Sequence, residues 1–151
     1  MLEETETRVP IVRVHGPGEE EVNVLDGRTR ILVRPDEVGD AYSVLEQVIP
    51  PGKGPPFHVH RHETEIFYII EGEFEFRVGS DSLTVGPGAN MVGPRDIPHT
   101  FRNVGATPGK LLLTIIPGRF GHYFIEVDSV ADRDRETIRR LAAKFDVELL
   151  E

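Results

Sequence analysis

Apolar and polar residues alternate in short runs along most of this chain. In Glu73-Phe74-Glu75-Phe76-Arg77-Val78, the apolar residues Phe74, Phe76 and Val78 share one face and are expected to be buried. Glu73, Glu75 and Arg77 then face water. Residues 9–15, 29–33, 42–49, 83–85 and 110–116 read as further strands, the last of these being the final clear one. Pro10 argues that the first is an edge strand or a strand start. Turns at 15–18, 26–27, 35–39, 79–82 and 86–88, rich in Gly, Pro, Asp and Ser, separate these runs. Short strands so punctuated predict an antiparallel sandwich or barrel.

The period changes near the C-terminus. Across 132–145, Ile138, Leu141, Ala142 and Phe145 recur at i, i+3, i+4 and i+7, which predicts an α-helix. Acidic residues come early and basic ones late, as the helix dipole favours, and Asp132 or Asp134 is placed to cap it. The helix is expected to pack outside the barrel or on a second subunit. Between the last strand and this helix, Gly118-Arg119-Phe120-Gly121-His122-Tyr123-Phe124 is expected to close the barrel mouth.

Composition narrows the class. A length of 151 residues fits one domain, 1–151, with room for a real core. No apolar run is long enough to span a bilayer, and the acidic start is unlike a secretory signal, so a cytoplasmic protein without a membrane partner is expected. The absence of cysteine excludes disulfides and thiolate ligands, leaving nitrogen and oxygen to hold any metal. A formal charge of −9, from 17 basic and 26 acidic residues, disfavours a nucleic-acid partner.

The chemistry concentrates in residues 52–72. His58 and His60 stand at i and i+2, so an extended strand presents both imidazoles on one face, with Cα atoms roughly 6.5 Å apart. Arg61 to Thr64 is short and polar enough to reverse the chain and bring Glu65 back alongside, giving three ligands from one hairpin. His62 shares the parity of His60 but is expected to turn outward. Downstream, His99 precedes another apolar-periodic segment and supplies a fourth candidate, with Phe101 and Asn103 on its side of the strand. His15 and His122 read as surface histidines.

These residues resemble the cupin family. The first cupin motif, G-x5-H-x-H-x3-4-E-x6-G, is matched by Gly52, His58, His60, Glu65 and Gly72. The second, G-x5-P-x-G-x2-H-x3-N, is matched by Gly88, Pro94, His99 and Asn103, with Asp96 where the family usually has Gly. The resemblance implies an all-β double-stranded β-helix, or jelly-roll barrel, with its core at about 40–117 and N-terminal strands at 8–34. It also implies a homodimer. His58, His60, Glu65 and His99 form an N3O set for one divalent transition metal per chain, with iron, manganese, nickel, cobalt, copper and zinc all compatible. Glu65 is the candidate catalytic residue, either staying bound to the metal or detaching to act as a base during turnover. Phe57, Phe67, Met91, Phe101 and Phe120 are candidates for an apolar pocket, and Arg119 for meeting an anionic substrate. The partner is a small-molecule ligand or substrate. Similar cupins suggest a metal-dependent dioxygenase for a small aromatic or enolisable compound, as in quercetin dioxygenase-like cupins. The alternatives are an isomerase or decarboxylase, and a ligand-binding or sensing cupin without turnover.

Overall fold

The computed structural model describes residues 16, 18–24 and 26–151; the expected strand at 9–15, with His15, lies outside them. The described strands are β1 (Glu21–Val24), β2 (Gly27–Val33), β3 (Ser43–Ile49), β4 (His58–His60), β5 (Thr64–Glu71) and β6 (Phe74–Val78). They continue with β7 (Asp81–Val85), β8 (Asn90–Gly93), β9 (His99–Asn103), β10 (Gly109–Ile116) and β11 (Val147–Leu149). Two helices, α1 (Gly121–Ser129) and α2 (Arg135–Lys144), lie between β10 and β11.

One antiparallel sheet runs β1-β2-β3-β10-β5-β8 and the other β11-β4-β9-β6-β7. The core lies between their inner faces. Phe74 and Phe76 are buried, Glu75 is half-buried and Arg77 exposed, which is the alternation expected of a strand with one wet face. Phe67 crosses from the first sheet to meet Phe76 and Phe101 of the second, with ring centroids 5.2 and 5.5 Å away. Full burial of each such side chain contributes roughly 1.5–3 kcal/mol, so these contacts do much to hold the sheets together.

Two expectations are corrected by this topology. The ligand-bearing strands β4 and β5 belong to different sheets, so they do not form a hairpin. β4 pairs instead with β9 and β11, and residues 61–63 form a corner that carries the chain across the core. Second, residues 110–116 are not the final strand. β11 pairs with β4 over Val147↔His60 and Leu149↔His58, in a ladder too short to show alternation. Helix α2 is mostly exposed, and its inner face lays Ile138 and Ala142 over the cavity described below. Its N-cap is Asp134, whose side chain accepts from the Thr137 amide at 2.7 Å.

Residues 121–129 form helix α1, which the aromatic- and Gly-containing sequence did not announce. Gly72 has φ 91°, and a Cβ there would lie 2.8 Å from Gly109 Cα, so the β5–β6 turn needs glycine on both counts. Asp96 has φ 66°, a left-handed conformation that Asp tolerates, and its amide donates to His60 O at 2.8 Å. That bond ties the loop before β9 to the strand carrying two of the histidines.

Candidate metal centre

Each of the four residues points inward for a local reason. His58 and His60 share a face of β4, while His99 stands opposite His58 in the β4–β9 pair. Glu65 enters from β5 in the facing sheet. One ligand atom from each residue lies within 4.8 Å of the other three, and all four residues are buried. Two ligands about 2.1 Å from a common ion are at most about 4.2 Å apart, so only a small contraction would close the set.

Hydrogen bonds fix the rings. His58 Nδ1 donates to Pro56 O at 2.7 Å, and His99 Nδ1 to Ile97 O at 3.4 Å. His60 Nδ1 lies 3.2 Å from Glu63 Oε2. With the three Nδ1 atoms engaged, the Nε2 atoms are left for a common point. Nε2 of His60 and of His99 are buried without a hydrogen-bond partner. Glu65 Oε1 is 2.6 Å from His60 Nε2, close but off the hydrogen-bonding direction. Unpartnered buried nitrogens cost free energy, and a cation at their convergence would satisfy them. The residues therefore fit a metal.

The electrostatics agree. Burial pushes the His58 imidazolium down to about 4, helped by the neighbouring His99 and His60. Burial also opposes charge on His60, but Glu65 and Glu63 outweigh it and raise it to about 9. For Glu65, burial favours the neutral acid, yet His60 and His99 hold the carboxyl well below its ordinary value. Without a metal, a proton on His60 takes the cation's place.

A cavity of about 260 Å³ reaches this cluster through His58 and Glu65. Its apolar lining comes from the barrel interior, including Phe101 and Leu113, and from the C-terminal segment, including Phe120, Tyr123, Phe124 and Val127. Phe120 packs edge-on over His60, with centroids 4.6 Å apart, and stacks on Tyr123 at 4.8 Å. Burial pushes the Tyr123 phenol up to about 12, so it remains a donor at neutral pH.

Of the residues expected to form a pocket, Phe101 and Phe120 line this cavity. Phe67 is core, with its ring 5.8 Å from that of His99, and Met91 lies opposite Phe67 on β8. Phe57 is instead covered by Arg77, whose guanidinium carbon is 3.9 Å from the ring centre. Arg119 is directed away: it is exposed, and its Nη2 donates to Lys144 O at the end of α2. A basic group at a helix C-terminus is stabilised by the carbonyls there, and this role holds Arg119 outside the cavity. His62 is exposed, 2.9 Å from Asp146, and His122 lies 3.5 Å from Asp40.

Sequence reasoning missed Glu63, Gln47, Tyr123 and Gly93. Gln47 is buried in the cavity wall, where its amide donates to Thr29 Oγ1 at 3.3 Å. Gly93 pairs with Glu65, and a Cβ there would lie 2.9 Å from Cε1 and 3.0 Å from Nδ1 of His99. Because His99 is enclosed, it has little room to retreat. Gly93→Ala is expected to displace the ring and weaken metal binding by roughly 10–100-fold, the usual cost of disturbing a ligand's support. Chelator competition on the folded variant checks this, and wild-type affinity would contradict it.

Comparisons with known proteins bear on the fold. The family model described as "Cupin domain" matches residues 45–116. The mannose-1-phosphate guanylyltransferase of Escherichia coli K12 is 29% identical over 99 residues, 66% of this chain, which spans only 20% of that enzyme's length. Polyketide synthase CurC of Streptomyces cyaneus is 25% identical over 111 residues, covering 70% of this chain and 72% of CurC. Among solved structures, the polyketide cyclase RemF from Streptomyces resistomycificus superposes with a TM-score of 0.61 at 24% identity, covering 72% of this chain and 80% of RemF. With two facing antiparallel sheets and residues 45–116 matched by the cupin family model, the chain has the cupin fold.

Proposed function

We propose that this cupin is a metal-dependent enzyme acting on a small, neutral, enolisable substrate, and that it is a dioxygenase where the resident metal is redox-active. The observation carrying this reading is the apolar cavity that opens on His58 and Glu65. About 260 Å³ is near the lower end for small-molecule sites.

The lining disfavours a phosphorylated substrate. Its one basic residue among those described is Arg133, already committed to the carbonyls of Asn23 and Asp128. Similarity to CurC, a polyketide synthase protein by name, favours the same substrate class, since β-dicarbonyl units enolise readily.

His58, His60, Glu65 and His99 would hold the metal, which supplies Lewis-acid polarisation of a substrate oxygen and, when redox-active, a route to dioxygen chemistry. Phe101, Phe120 and Phe124 pack against the substrate body and keep water out. The Glu65 carboxylate borders the cavity, and in this reading it would take a proton from the carbon beside a polarised carbonyl.

The test combines a panel of 1,3-diketones and flavonols with protein loaded in turn with iron, manganese, nickel and zinc. Deuterium exchange at the enolisable carbon, lost in Glu65→Gln, is expected, with oxygen uptake for the redox-active metals. Binding without exchange or oxygen uptake would point to a ligand-binding protein and overturn the enzymatic reading. Preference for sugar phosphates would overturn the substrate class.

A further inference from the structure

Glu63 is 2% exposed, yet it occupies the corner between β4 and β5, where a polar residue would ordinarily face water. Burying a carboxylate is costly unless it is paired. Its Oε2 lies 3.2 Å from Nδ1 of His60. The other two histidines are anchored by backbone carbonyls, Pro56 O and Ile97 O. His60 alone is held by a side chain, and by one that carries charge.

We propose that Glu63 is the positioning residue for His60, fixing its Nδ1–H tautomer and matching the site to a divalent cation. The inference rests on the metal reading of the same cluster. A carboxylate accepting from Nδ1–H orients the ring, leaves the Nε2 lone pair for the ion and makes the imidazole a stronger donor. Its charge matters as well. Glu63 and Glu65 together carry two formal negative charges within one turn of chain, so three neutral imidazoles and a divalent cation complete a formally neutral buried cluster. Without Glu63, the same cluster holds a net positive charge in a medium that penalises it.

The signal was present in the sequence. Glu63 follows His60 by three residues and precedes Glu65 by two, but a reading of residues 61–64 as an exposed reversal leaves it in solvent. The inter-sheet corner turns it inward.

The test uses Glu63→Gln and Glu63→Ala in the full chain. Zinc affinity is read by chelator competition, and the His60 tautomer by long-range nitrogen–proton correlation spectra of the zinc-loaded protein. Wild-type protein is expected to show His60 protonated at Nδ1 and zinc at Nε2. Glu63→Ala is expected to bind zinc roughly 10–100-fold more weakly and to lose the single ring orientation. Glu63→Gln keeps a hydrogen-bond acceptor of the same size, so it should retain the tautomer while losing affinity, separating charge from geometry. Should the alanine variant fail to fold, the isosteric glutamine variant still decides the charge effect. Zinc affinity within twofold of wild type in folded Glu63→Gln overturns the charge-matching role, and an unchanged tautomer in folded Glu63→Ala overturns the positioning role. Failure of wild-type protein to bind zinc would overturn the metal reading itself.

Discussion

Protein carrying His99→Ala or His58→Ala is expected to lose nearly all its transition metal, whereas wild-type protein is expected to be purified with close to one ion per chain. The loss should exceed the roughly 10–100-fold typical of outer-shell changes, because each substitution deletes a donor outright. The two variants act from different strands. His99 comes from β9 and His58 from β4, so their joint effect reports on convergence across the β4–β9 pair. His62→Ala is the control: this histidine is exposed beside Asp146 and should leave metal content unchanged. Elemental analysis reads all three. Wild-type metal content in both ligand variants would remove the site.

The metal-free protein is expected to be most stable near pH 6.5 and to weaken on both sides. His58 titrates at about 4 when folded and near 6.5 when unfolded, so between those values the unfolded chain binds more protons. Stability therefore falls as the pH drops from about 6.5 to 4, by up to ~3 kcal/mol for a shift of this size. His60 works in the opposite sense. Its folded value is raised to about 9, so its contribution is complete below 6.5 and is lost as the pH rises towards 9. Glu65, held below its ordinary value, adds a loss at still lower pH as it becomes protonated. Metal binding must displace the His60 proton, so loading should release protons at neutral pH and stabilise most in alkaline solution. Melting temperatures of chelator-treated and metal-loaded protein between pH 4 and 9 check both statements. A metal-free melting temperature that rises steadily to pH 9 would contradict the His60 assignment.

The β-rich architecture was legible because local alternation determines it. Phe74, Glu75, Phe76 and Arg77 each took the face their pattern demanded. The four cluster residues were legible because motif spacing places them on strands at fixed parity. What the sequence concealed was long-range. Nothing local to residues 61–63 distinguishes a hairpin turn from an inter-sheet corner, and that difference decides whether Glu63 is buried or wet. Val147–Leu149 is too short for a periodic signal and becomes a strand only because β4 offers it an edge. Gly93 carries no local signal of its role, which follows from His99 Nδ1 lying 3.0 Å from where a Cβ would stand. Arg119 was misjudged because a cation near a cavity and a cation at a helix terminus look alike in sequence; the end of α2 claims it.

The cavity's roof has the same long-range character. Phe120 and Phe124 lead into or lie on α1, and Ile138 and Ala142 lie on α2, all outside the segment matched by the family model. The barrel thus supplies the four candidate ligands, while the C-terminal segment supplies much of the cavity wall.

The most direct test is a crystal structure of metal-loaded protein with anomalous data collected at the metal's absorption edge. One peak is expected about 2.0–2.2 Å from Nε2 of His58, His60 and His99 and from a Glu65 carboxylate oxygen. A folded protein with no peak between these atoms, or with the ion bound elsewhere, would contradict the account.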